Sequence, residues 1–144
     1  MAKVTRKFNV KRKPEAVIDY LSDVENHPAF IPPLKSVANI AGDPKRKGTR
    51  WDWTFVMAGV EINGKAETSE YQAGKRYAFK TTGIESTFSY SVEPADGGSR
   101  VTADVDYEVP QGVLAKIADK AVVEKMNERD ADKAAQTLKT ILDS

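Results

Sequence analysis

The sequence offers few residues of the kinds that carry catalysis. It contains one histidine, His27, and no cysteine. An imidazole has an ordinary pKa of about 6.5, which makes His27 the obvious candidate for a general acid or base. However, His27 precedes Pro28 in a turn-rich segment, and nothing in the sequence places a nucleophile or a carboxylate against it. The sequence therefore favours a structural or solvent-exposed role for His27 and leaves catalytic residues unknown.

Three acidic residues near the end of the β-rich region could form a metal site or an acid–base cluster. Asp104, Asp106 and Glu108 recur at every second position. This spacing places them on one face of a strand, opposite the apolar face, and favours a solvated surface. A single histidine also argues against a zinc site. We expect no metal ion and no cofactor.

Aromatic residues suggest chemistry of another kind, the binding of an apolar molecule. They occupy alternate positions in successive predicted strands: Trp51, Trp53, Phe55, Phe79, Phe88, Tyr90 and Tyr107. Tryptophan and tyrosine carry polar tips that need partners when buried, which favours a wet or ligand-bearing pocket around Trp53, Tyr90 and Tyr107. The same rings could instead close the interior as a packed core, and the sequence leaves both interpretations open.

The composition is that of an ordinary globular domain. The chain has 144 residues, of which 40% are hydrophobic and 30% charged, with a net charge of +1. This length fits one domain, which we place at residues 1–144. A nearly neutral chain exerts no strong pull on nucleic acid, so we expect no nucleic-acid partner. No apolar run approaches the roughly 18 residues of a membrane span, and the absence of cysteine is typical of the cytoplasm. We therefore expect a cytoplasmic protein without an integral membrane segment.

Alternation of apolar and polar residues predicts seven strands. The first begins near Val4, with Arg6 interrupting its apolar face. Pro14 then suits the first turn of a helix, and Asp23 or Asn26 could cap a second short helix. Six alternating stretches separated by turn residues follow between positions 35 and 109. Such clean alternation predicts an antiparallel sheet with one dry face, and seven strands of this kind curl strongly.

The segment after Pro110 predicts a long helix. It contains no further proline, and its apolar residues change face near positions 120–123, which predicts a short helix, a bend and a longer helix. Asn127 and Asp130 fall inside the apolar stripe of the longer helix. A buried polar group costs free energy unless it is paired or hydrated. These two residues therefore lie either at a solvated edge of the stripe or in the lining of a cavity.

The order of these elements and several local motifs resemble a known family. The motifs are residues 14–23 followed by His27-Pro28-Ala29-Phe30, Gly48-Thr49-Arg50-Trp51, Glu93-Pro94 with residues 97–102, and the closing residues 138–142. They resemble the helix-grip fold of the START and Bet v 1-like (SRPBCC) superfamily, and more narrowly the bacterial polyketide cyclase/dehydrase and lipid-transport family. The resemblance covers nearly the whole chain. It implies an α+β protein in which a curved seven-stranded antiparallel sheet wraps around a long C-terminal helix.

The resemblance further implies an apolar cavity between the sheet and this helix. The candidate ligand-binding residues are the concave-face aromatics and the two polar residues of the helix: Trp51, Trp53, Phe55, Phe79, Phe88, Tyr90, Tyr107, Asn127 and Asp130. Small residues at Gly64, Ala66 and Thr68 would leave room among them. The expected partner is an apolar small molecule or a lipid, and the oligomeric state is not indicated.

Three functions are compatible with such a cavity. The first is binding of an apolar or amphipathic small molecule, such as a lipid, an isoprenoid, a quinone or a polyketide-like compound. The second is a polyketide cyclase, aromatase or dehydratase activity, in which Tyr90, Tyr107, Asn127 or Asp130 would orient the substrate or transfer protons. The third is a protein-interaction or co-chaperone-like role. The family has no shared catalytic motif to carry over, so we favour binding over catalysis.

Overall fold

The computed structural model describes residues 2–43, 46–116 and 119–144. The chain begins with strand β1 (Ala2–Val10) and continues through helix α1 (Pro14–Ser22), a 3₁₀ turn (Val24–Asn26) and the short helix α2 (His27–Phe30). Pro14 opens α1 as predicted, because a residue without an N–H is tolerated in the first turn. Asp23 caps the 3₁₀ turn by accepting a hydrogen bond from the Glu25 N–H at 3.3 Å.

Six further strands follow the two helices. They are β2 (Leu34–Ala41), β3 (Arg50–Met57), β4 (Val60–Gln72), β5 (Arg76–Thr82), β6 (Ser86–Ala95) and β7 (Gly98–Tyr107). The seven strands form one antiparallel sheet in the order β1-β7-β6-β5-β4-β3-β2. Each strand from β2 to β7 pairs with its neighbour in sequence, while β1 adds to β7 and so lies at the edge opposite to β2. The predicted sheet is confirmed.

Register shifts bend the sheet on the side of β2 to β5. One interrupts the β4–β5 pairing between Thr68 and Glu70, and two interrupt the β2–β3 pairing. A bulge adds an unpaired residue to one strand and increases its local twist. The sheet therefore curves and presents a concave face.

The C-terminal region forms two helices, α3 (Gln111–Lys116) and α4 (Lys120–Asp143). The predicted break is confirmed: α4 starts at Lys120, and Asp119 caps it by accepting a hydrogen bond from the Ala121 N–H at 2.9 Å. Ile117 and Ala118, for which the sequence predicts the apolar face of the shorter helix, lie outside the described residues. The 24-residue α4 crosses the concave face and packs mainly against β1 and α2.

The far end of α4 is attached to the edge of the sheet by several hydrogen bonds. Lys139 Nζ donates to the Asn9 carbonyl at 2.6 Å, and the Lys11 N–H donates to Asp143 at 2.8 Å. Leu138 and Leu142 are buried beneath this end of the helix. These contacts fix the height of α4 above the sheet, and hence the space between them.

Candidate functional site

A cavity of about 130 Å³ lies between the concave face of the sheet, α2 and α4, and it is not sealed from solvent. Its lining is almost entirely apolar. The sheet contributes residues from β1, β2, β3, β5, β6 and β7, and α4 contributes one face along the stretch from Asn127 to Leu138. All nine residues that the sequence suggests for ligand binding lie in this lining. That they contact a ligand stays a prediction.

The register of the sheet arranges the floor of the cavity in three rows of side chains. Two rows cross β5, β6 and β7, and they are Thr81–Ser86–Tyr107 and Phe79–Phe88–Val105. The third row crosses β6, β7 and β1, and it is Tyr90–Ala103–Arg6. Neighbouring rows are two residues apart along each strand, so the outer rows are separated by about 13 Å. The middle row is wholly apolar, and each outer row carries polar atoms.

The middle row is centred on a stack of aromatic rings. Phe79 and Phe88 lie parallel with ring centroids 4.7 Å apart. His27 stacks on Phe79 at 5.1 Å, and Trp51 meets the edge of Phe79 at 5.4 Å. Such offset and edge-to-face pairs stabilise the packing by about 0.5–1.5 kcal/mol each beyond the area they bury. The stack therefore forms a rigid flat surface in the cavity.

His27, which the sequence singles out but assigns to a structural or solvent-exposed role, lies in the cavity lining. Its side chain is 1% exposed and lines the cavity, so the solvent-exposed role is wrong. The Nε2–H donates to the Leu21 carbonyl at 2.7 Å. Burial lowers the pKa of His27 to about 4, against the opposing influence of the Leu21 carbonyl and of Asp23. The ring is therefore neutral at pH 7, and Nδ1 is an acceptor that has no hydrogen-bond partner among the described residues. Its spacing of three from the apolar Phe30, on the same short helix, was the available signal.

Tyr90 occupies the same end of the cavity. It is 5% exposed and lies parallel to Tyr77, with ring centroids 6.4 Å apart. Burial raises the pKa of its hydroxyl. Within the described part of the chain this hydroxyl makes no hydrogen bond. A buried hydroxyl that borders a cavity without a partner is available to a ligand or to water.

The opposite outer row lies beneath the first half of α4. Burial raises the pKa of the Tyr107 hydroxyl, and the Asn127 amide close to it opposes that rise. Asn127 Nδ2 is nonetheless buried without a partner at hydrogen-bond geometry in the described residues. Burial also raises the pKa of Asp130, which Lys133 counteracts. Asn127 and Asp130 therefore lie in the cavity lining, with both side chains half-buried.

Two further polar groups of the lining are satisfied within the protein. The Thr81 hydroxyl bonds to the Ser86 hydroxyl and to the Ile84 carbonyl. Arg6, which interrupts the apolar pattern of β1, reaches α4, where its Nε lies 2.5 Å from Asp132 Oδ1. The guanidinium charge is thus compensated at the outer side of the helix.

The room expected beside small residues of β4 is not part of the cavity. The Trp53 indole lies over Gly64, where a Cβ would come within 2.3 Å of the ring and 2.0 Å of the Thr82 carbonyl. Ala66 and Thr68 are buried, and neither lines the cavity. Trp53 Nε1 donates to the Lys65 carbonyl at 3.0 Å, so its polar tip needs no ligand. Gly64 therefore makes room for the protein's own tryptophan.

No group of three or more histidine, aspartate or glutamate side chains in the described residues is arranged to hold a metal ion. Asp104 instead accepts a hydrogen bond from the Thr5 hydroxyl at 2.6 Å across β1 and β7. None of the described helices has the length and apolar character needed to cross a membrane.

Comparison with solved structures shows close likeness at low sequence identity. TTHA0849 from Thermus thermophilus is 20% identical, with a TM-score of 0.76 over 96% of this chain and 95% of that one. The di-domain ARO/CYC protein StfQ of the steffimycin biosynthetic pathway is 11% identical, with a TM-score of 0.74 over 97% of this chain and 50% of that one. The Aha1 dimer from Colwellia psychrerythraea is 11% identical, with a TM-score of 0.65 over 99% of this chain and 97% of that one.

No curated protein matches the sequence. The profile of one protein family, described as polyketide cyclase / dehydrase and lipid transport, matches residues 1–143. With this match over almost every residue and the helix-grip architecture described above, the chain belongs to the polyketide cyclase/dehydrase and lipid-transport family of the START and Bet v 1-like superfamily.

Proposed function

We propose that the protein binds an apolar or amphipathic small molecule in the cavity between the sheet and α4. The observation that carries this proposal is the cavity itself, which has an aromatic floor and an almost wholly apolar lining. Apolar surface gains about 25 cal/mol for each Å² removed from water, offset by the cost of immobilising the ligand. Lipids, isoprenoids, quinones and polyketide-like compounds are the candidate classes. We place this binding in the cytoplasm, within a single domain covering residues 1–144.

The intrinsic fluorescence of the protein gives a direct test. The chain has two tryptophans, Trp51 and Trp53, and both line the cavity. Titration with a panel containing farnesol, a naphthoquinone and decanol is expected to change their emission and to raise the melting temperature. Native mass spectrometry of protein taken directly from cells is expected to show a bound small molecule. No bound molecule, no emission change and no thermal shift would together overturn the proposal.

A matched pair of variants on α4 locates the binding site. Ala134 lines the cavity, whereas Ala121 is exposed on the same helix. Ala134→Phe places a ring in the cavity and is expected to abolish the fluorescence response. Ala121→Phe adds the same ring outside and is expected to leave the response unchanged. Equal responses of the two variants would place binding elsewhere.

A cyclase, aromatase or dehydratase activity in the same cavity is a second candidate. It is favoured by Asp130, a carboxyl group whose pKa is raised by burial in an apolar lining, as a general acid requires. Conversion of a poly-β-ketone analogue by the wild type, and its loss in Asp130→Asn with ligand binding retained, would support this activity. No conversion by the wild type would leave binding alone. For a co-chaperone-like role, the likeness to the Aha1 dimer shows a shared fold and nothing further.

A further inference from the structure

The volume of the cavity limits the size of its occupant. Pockets that hold drug-sized molecules typically measure about 300–1,000 Å³, whereas this one measures about 130 Å³. An engineered apolar cavity of about 150 Å³ binds benzene. One aromatic ring therefore fits, and a second fused ring can extend through the open side. A long acyl chain needs more room than α4 leaves in this position.

The charges of the lining limit the charge of the occupant. Of the ionised side chains in the described lining, Arg6 is paired with Asp132 at 2.5 Å, and Asp130 is negative when ionised. His27 is neutral because burial keeps its pKa at about 4. A ligand carboxylate would lose water in this cavity without meeting an uncompensated cation. The lining therefore favours a neutral molecule.

Two polar atoms at one end of the cavity define a complementary group. Tyr90 and His27 both pack against Tyr77, with ring centroids 6.4 Å and 5.9 Å from it, so they lie at the same end. His27 uses Nε2–H on the Leu21 carbonyl, which leaves Nδ1 as an acceptor, while the Tyr90 hydroxyl can donate. In the described residues neither atom has a partner. A ligand hydroxyl has the complementary capacity, because it donates one hydrogen bond and accepts another.

We propose that the cavity selects a neutral hydroxylated aromatic molecule of one or two fused rings, whose hydroxyl group bonds to Tyr90 and His27 while its ring lies against the Phe79–Phe88 stack. This inference rests on the proposed function and narrows it. It excludes acyl lipids and carboxylates as the preferred ligands.

Isothermal titration calorimetry at neutral pH with 2-naphthol, naphthalene and decanoic acid tests the inference. The first two probes have the same ring system and differ by one hydroxyl. Making a hydrogen bond to otherwise unsatisfied buried groups is expected to tighten binding about tenfold for 2-naphthol over naphthalene. Decanoic acid is expected to bind more weakly than either.

Two tyrosine-to-phenylalanine variants separate the role of the cavity hydroxyl from general effects of losing a buried one. Tyr90→Phe is expected to weaken 2-naphthol binding to the level of naphthalene and to leave naphthalene binding unchanged. Tyr77→Phe removes a hydroxyl that is buried in the same aromatic cluster but does not line the cavity. It is expected to keep the tenfold preference. If Tyr90→Phe does not fold, His27→Gln, which retains a donor for the Leu21 carbonyl, is expected to lose the preference in its place.

The possible failures are distinct. A tenfold preference that survives in Tyr90→Phe, or decanoic acid binding as tightly as 2-naphthol, overturns the choice of ligand class while apolar binding stands. Equal affinity of the wild type for 2-naphthol and naphthalene does the same. Absence of binding by all three probes, together with protein from cells that carries no small molecule, overturns this inference and the proposed function alike.

Discussion

His27 is expected to make the stability of the protein depend on pH between about 4 and 6.5. The ordinary pKa of the imidazole is 6.5, and burial in the folded protein lowers it to about 4. Between these two pH values His27 is protonated in the unfolded chain and neutral in the folded protein. Acid therefore favours unfolding, and the stability contributed by neutral His27 is fully present above the unfolded pKa and is lost as the pH falls towards the folded one.

The size of this effect follows from the two pKa values. A difference of one pKa unit corresponds to about 1.4 kcal/mol, and integration of the linkage relation gives a loss of about 2–3 kcal/mol between about pH 7.5 and pH 4.5. This is a substantial part of the about 5–15 kcal/mol that stabilises a typical domain. The group is 1% exposed, so solvent screening does not reduce the effect much.

Two measurements check this reasoning. Because the chain has a single histidine, its imidazole proton resonances are unambiguous, and NMR titration of the folded protein is expected to show a midpoint near 4. Urea unfolding at several pH values, compared between the wild type and His27→Gln, isolates the contribution of His27 from that of the carboxyl groups. The difference between the two proteins is expected to shrink by about 2–3 kcal/mol on acidification. A titration midpoint near 6.5, or a pH-independent difference, would refute the buried neutral imidazole.

Three substitutions test the packing around the cavity by urea unfolding. Gly64→Ala is expected to lower the free energy of unfolding by about 3 kcal/mol, because the added Cβ would lie closer than 3 Å to backbone and to an indole ring. Gly112→Ala is the control, because a Cβ there meets nothing within 4 Å, and it is expected to leave the free energy of unfolding nearly unchanged. Leu138→Ala is expected to cost about 3 kcal/mol and to enlarge the cavity, since this side chain is 2% exposed and part of the lining. Arg6→Ala removes a partly exposed ion pair with Asp132 and is expected to cost less than about 1 kcal/mol. A large cost for Arg6→Ala, or none for Gly64→Ala, would contradict this account.

The fold could be predicted because its determinants are local in sequence. Alternation of apolar residues fixed which face of each strand is buried, as for Trp51 and Trp53 on β3, both of which are 3–4% exposed. The change of apolar face near position 120 coincides with the start of α4, where Asp119 supplies a cap. The same alternation explains why the predicted aromatic residues share the cavity lining. Residues two positions apart along a strand lie on one face of the sheet, and so do residues paired directly across adjacent strands.

The details of the site could not be predicted where they depend on contacts between distant segments. His27 is buried because α2 packs against α4 and β2 and brings the imidazole ring against Trp51 and Phe79. These two residues are 24 and 52 positions away, and no sequence pattern indicates contacts over such separations. The orientation of the Trp53 ring is not encoded in any sequence pattern, so the sequence cannot show that this ring fills the space beside Gly64 on the neighbouring strand. Arg6 likewise broke the apolar pattern of β1 without indicating that it reaches across to α4.

The cavity and the hydrophobic core are built from the same residues, and this couples ligand binding to folding. Trp51, Phe79 and Leu138 belong to the buried cluster and also line the cavity. A ligand in contact with them completes the packing of the core, and it cannot bind the unfolded chain in the same way. Binding therefore raises the free energy of unfolding by RT ln(1 + [L]/Kd), about 2.7 kcal/mol at a ligand concentration one hundred times the Kd. This gain is similar in size to the stability lost when acid protonates His27 in the unfolded chain. A tightly bound ligand is therefore expected to offset the acid destabilisation as long as His27 stays neutral in the folded protein.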